Sequence, residues 1–72
     1  MKDYEKEFMR QIYKEIKIMQ ENKQQKELVK FINLANIRAI YLNLSDDVIN
    51  RLYLAKYYIE KGERLKWLKK YY

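Results

Sequence analysis

The chain contains no cysteine, no histidine and no proline, and its single glycine stands at position 62. Each absence removes a class of chemistry. Without thiolates or imidazoles there are no ligands for structural zinc, iron–sulfur clusters or haem. Disulfides, a thiol nucleophile and a histidine base are missing too, so the hydrolase triads built on them cannot be assembled. One glycine cannot furnish a phosphate-cradling loop or a dinucleotide fingerprint. Carboxylate pairs do not fill the gap. Glu5 with Glu7 and Asp46 with Asp47 do not face each other on a helix, and Glu60 with Glu63 is interrupted by Gly62. The expectation is a chain with no catalytic residues, no metal and no cofactor. No run approaches ~18 apolar residues and no charged-then-apolar leader is visible, so the sequence reads as cytoplasmic, with no integral membrane segment.

What is present is basic and aromatic. Sixteen Lys and Arg stand against ten Asp and Glu, for a net charge of +6, and there are eight tyrosines in 72 residues. A domain this small buries only ~60% of its unfolded surface and holds a core contributing ~3–5 kcal/mol of net stability. Residual apolar surface then favours a partner, and a homodimer is expected. The abundance of Lys, Ile, Asn and Tyr matches A/T-rich codons, pointing to a low-GC bacterium, a phage or a plasmid as source.

The spacing predicts an all-α fold: one domain with helices over about 2–22, 26–43, 46–61 and a short basic one over 63–71. In the first, Phe8, Ile12, Ile16 and Met19 recur at intervals of four, four and three, with Tyr4 extending the stripe upstream and Met9 and Tyr13 widening it. This stripe is the expected dimer seam. Asn22 to Gln25 is the least apolar stretch and the place for a bend, though without Pro or Gly the two helices can also run on as one. The second helix carries Leu28, Phe31, Ile32, Ala35, Ala39 and Leu42 on one face, and Leu34, Ile37, Ile40 and Tyr41 extend it round the cylinder. A helix apolar on most sides is expected at the centre. Asn43-Leu44-Ser45 is the clearest punctuation, with Asn suited to the left-handed conformation and Ser45 an N-cap. Val48, Ile49, Leu52, Ala55, Tyr58 and Ile59 then mark one face of the third helix, which Gly62 ends.

Three signals bear on function. Ala39, Asn43, Leu44, Ile49 and Leu52 have a spacing that resembles the helix-turn-helix of DNA-binding regulators, where a small residue and a left-handed one let two helices meet at a sharp corner. The resemblance implies that Ser45, Asn50 and Arg51 face DNA, Asn reading adenine and Arg guanine. Asp46 and Asp47 fit that role poorly. The second signal is charge: residues 63–72 hold half of the excess, with Arg64, Lys66, Lys69 and Lys70 interleaved with Trp67, Tyr71 and Tyr72. Such a segment suits phosphates and bases, and less directly an anionic membrane. The third is tyrosine. Tyr57-Tyr58 and Tyr71-Tyr72 are neighbours ~100° apart on a helix, so one of each pair is expected at the surface. Tyr57, Trp67, Tyr71 and Tyr72 are therefore candidate partner-binding residues. The leading reading is a small helix-turn-helix-like DNA-binding regulator or accessory protein. The alternative is a protein-binding regulator, an antirepressor or phage inhibitor, acting on an acidic protein.

Overall fold

The computed structural model describes residues 2–62, and in it the chain forms α1 (Asp3–Glu21), α2 (Gln25–Tyr41) and α3 (Asp46–Glu60). The all-α expectation holds. The expected helix over 63–71 lies outside the described residues.

All three helices stop in the same way, by putting one residue into the left-handed region. That residue is Lys23 (φ 56°), Asn43 (φ 56°) and Gly62 (φ 78°) in turn. After α1 the Lys23 N–H bonds the Gln20 carbonyl at 3.2 Å and the Gln24 N–H bonds that of Met19 at 2.9 Å. After α2 the Asn43 N–H donates to Ile40 and the Leu44 N–H to Ala39, both at 3.0 Å. These paired bonds are Schellman caps, which satisfy carbonyls that a helix end leaves open. They settle the soft boundary at 22–25: the chain breaks there although the left-handed residue is a lysine.

Two long-range hydrogen bonds and one shared cleft fix the topology. The Glu5 carboxylate, one turn into α1, accepts from the Ser45 N–H at the start of α3 at 2.7 Å. Gln25, the first residue of α2, donates from Nε2 to the Ile59 carbonyl near the end of α3 at 2.6 Å. Met19 and Gln20 at the end of α1 line a cleft together with Gln24, Gln25 and Gly62. The helices therefore run up, down and up, with two tight turns at opposite ends.

The core is one cluster drawn from every helix: Met9, Ile12, Tyr13 and Ile16; Leu28, Ile32, Ala35 and Ala39; Leu44; Val48, Leu52, Ala55 and Ile59. Each series repeats at the three-to-four spacing of a single helical face. Ala35 and Ala39 let the backbones approach. Phe8, Met19, Val29, Phe31, Ile49 and Tyr58 border this cluster half-buried. Two expectations change. The inner face of α1 centres on Met9, Tyr13 and Ile16 rather than on the line from Phe8 to Met19. In α2 the apolar residues outnumber what two neighbours can cover, and Leu34, Ile37, Ile40, Tyr41 and Leu42 remain exposed. Asn36 is buried in their place. Its amide nitrogen donates back to the Ile32 carbonyl at 3.3 Å, while its Oδ1 has no hydrogen-bond partner.

Candidate functional site

The turn that joins α2 to α3 has the parts expected of it. Ala39 is fully buried, Asn43 is left-handed, and Leu44 and Leu52 fill the angle between the helices. The helices it joins do not splay. With 17 and 15 residues they measure about 26 and 22 Å. A helix-turn-helix crossing of ~90–120° would carry their far ends beyond the reach of any side chain. The Gln25–Ile59 bond joins those far ends. Leu28, Ile32, Ala35 and Ala39 meet Val48, Leu52, Ala55 and Ile59 in one cluster along the whole length. α2 and α3 form an antiparallel hairpin.

The start of α3 is also chemically occupied. A helix N-terminus with free N–H groups is a natural seat for a phosphate. Here Glu5 sits beside it. Its Oε1 accepts from the Lys2 N–H at 3.0 Å, which closes the first turn of α1, and its Oε2 accepts from the Ser45 N–H. The side chain is 2% exposed. The Lys2 N–H, the Ser45 N–H and the Ser45 hydroxyl hold its carboxyl down at about 2, against the opposing effect of burial. Ser45 thus occupies the N-cap position without capping α3 through its side chain. Asp46 and Asp47 lie exposed in the same first turn, and Arg51 Nε is bonded to Asp47 Oδ1 at 3.2 Å. Three carboxylates gather where a recognition helix would meet a phosphate backbone.

The outer side of α3 is different. Asn50, Tyr53, Leu54 and Tyr57 recur at intervals of three, one and three, all exposed and opposite the buried line Val48–Leu52–Ala55–Ile59. Lys61 Nζ stands 4.3 Å from the centre of the Tyr57 ring, and Tyr58 meets that ring edge-on with centroids 5.5 Å apart. Tyr57 is therefore held in place while keeping about half its surface in solvent. As expected for adjacent tyrosines, Tyr58 is the more buried of the two.

No family model, curated protein or solved structure matches the chain. Its surfaces must speak for themselves.

The remaining predicted positions are scattered. Ile12 and Ile16, expected in a dimer seam, are buried in the chain's own core, and Phe8 and Met19 lie half-buried against it. Of these four residues only Phe8 and Met19 keep apolar surface in solvent. Arg64, Lys66, Trp67, Lys69, Lys70, Tyr71 and Tyr72 lie outside the described residues. The structure adds a basic row that the sequence reading passed over. Lys2, Lys6, Arg10 and Lys14 follow at intervals of four, with Lys17 three further on, and all five are exposed. Arg10 is paired with Glu7. The four-residue recurrence of cations was the available signal.

The cleft beside Gly62, about 480 Å³ in volume, is large enough for a small molecule. Among the described residues its walls are Met19, Gln20, Glu21, Lys23, Gln24, Gln25 and Gly62. No group of acidic side chains among the described residues is arranged to hold a metal.

Proposed function

We propose that the chain is a small non-enzymatic protein-binding regulator that engages its partner through the outer face of α3. The observation that carries this reading is the exposed series Asn50, Tyr53, Leu54 and Tyr57 on an otherwise well-packed helix. Tyrosine and leucine at these intervals are the anchors by which a helix lies in an apolar groove. The ring of Tyr57, already ordered by Lys61 and Tyr58, loses little freedom on binding. A net charge of +6 favours an acidic partner. The test is affinity capture with the full chain and its Tyr57→Ala and Leu54→Ala variants. Both variants are expected to keep the helical circular dichroism of the parent and to lose the captured partner. Undiminished capture by both would overturn the assignment.

Nucleic-acid binding is the second reading, and the observation favouring it is the basic row on α1. Contact through Lys6, Arg10, Lys14 and Lys17 would be made to phosphates, without base readout. It would weaken steeply with salt and would be lost on Lys6→Ala with Lys14→Ala, while Arg51→Ala would leave sequence preference untouched.

A further inference from the structure

The outer face of α2 is an apolar feature that neither the core nor the proposed partner site uses. Leu34 is 65%, Ile37 63% and Tyr41 87% exposed, with Ile40 beside them at 53%. Lys30, Leu34, Ile37 and Tyr41 recur at intervals of four, three and four, the seam spacing of a coiled coil, and fall within an arc of roughly 60° at 100° per residue. This strip lies opposite Ile32, Ala35 and Ala39, so it cannot turn inward without emptying the core.

We infer that this face pairs with the same face of a second copy of the chain, the two α2 helices running antiparallel. Size is the first argument. Side chains this large and this exposed make a strip of several hundred Å², at the upper limit of what a monomer leaves bare. Self-pairing buries the strip twice. With Lys30, Asn33 and Arg38 at its margins it reaches the ~1,200 Å² of the smallest specific interfaces. Register is the second. Antiparallel pairing centred on the strip sets Leu34 against Ile37 and Lys30 against Tyr41 of the other copy, and opposes the two helix dipoles. The interface is isologous, so it closes at two copies. It leaves the outer face of α3 to the partner proposed above and does not depend on that reading.

Sedimentation equilibrium of the full chain tests the pairing. The parent is expected to dimerise, more strongly as salt screens its +6 charge. Ile37→Glu is expected to weaken self-association more than about tenfold, by burying a charge in the seam. Tyr57→Ala, on α3, is expected to leave it unchanged. A parent that stays monomeric at hundreds of micromolar overturns the inference, as does an Ile37→Glu variant that dimerises like the parent. Should Ile37→Glu lose its helical signal, single cysteines decide, since the chain has none of its own. Ile37→Cys, near the two-fold axis, is expected to form a disulfide-linked dimer on mild oxidation. Glu27→Cys, whose two copies lie at opposite ends, is not. Crosslinking of both variants, or of neither, refutes the antiparallel seam.

Discussion

Lys23→Gly should make this protein more stable. The residue is exposed and sits at φ 56°, one position past the C-cap of α1, where its N–H completes a Schellman bond to Gln20. A side chain with a β-carbon in the left-handed region crowds the following carbonyl, at a cost of ~1–2 kcal/mol. Glycine relieves that crowding but brings ~0.4–1 kcal/mol of extra unfolded-state freedom. The difference is a net gain of roughly 0.5–1 kcal/mol, worth several degrees in the melting midpoint of a 60–100-residue domain. Urea unfolding followed by circular dichroism at the helical minimum measures it, with Asn43→Gly as the internal comparison. Asn43 adopts the same φ, but asparagine tolerates it, so that variant should gain less. A Lys23→Gly chain no more stable than its parent, with an unchanged denaturant slope, would refute the account of how α1 ends.

Two further outcomes follow from buried polar groups. Glu5 has a folded value of about 2 against an ordinary 4.5, so its contribution is complete above pH 4.5 and disappears as pH falls through about 2. Glu5→Gln should melt at a lower temperature at neutral pH and lose less stability than the parent on acidification across that window. Parallel pH profiles for the two would dismiss the clamp. Asn36→Leu keeps the branching of the side chain and removes an acceptor with no partner, and should stabilise by about 1 kcal/mol in the same urea assay. A loss of stability there would show that the amide is better satisfied than its surroundings indicate.

What could be read in advance depended on contrast. The inner face of α3 was legible because Val48, Leu52, Ala55 and Ile59, with Ile49 and Tyr58 beside them, recur at helical spacing, and Asn43-Leu44-Ser45 announced the second turn by residue type. The first turn carried no such mark, since a lysine does there what asparagine does in the other. α2 offered too little contrast. Apolar on most sides, it reads as a buried helix, and periodicity does not say which side faces in. The alanines do, because Ala35 and Ala39 are small enough for a neighbouring helix to pack on, and both are buried. The surroundings of Ser45 were not legible for another reason. Its chemistry is set by Glu5, forty positions upstream, and no local pattern connects a carboxylate in one first turn to the N–H of another. The hairpin geometry likewise rests on Gln25 and Ile59, thirty-four positions apart.

The Glu5–Ser45 bond also bears on the order in which the chain assembles. α1 is joined to α2, and α2 to α3, by turns of only three and four residues. Most of the core therefore forms between helices adjacent in sequence, the topology that folds fastest. The carboxylate clamp is the exception, because it can close only when both turns have already formed and α1 has met the start of α3. An interaction made that late scarcely alters the rate of folding and acts on unfolding instead. Glu5 is thus a latch: it sets how long the bundle, once formed, stays shut.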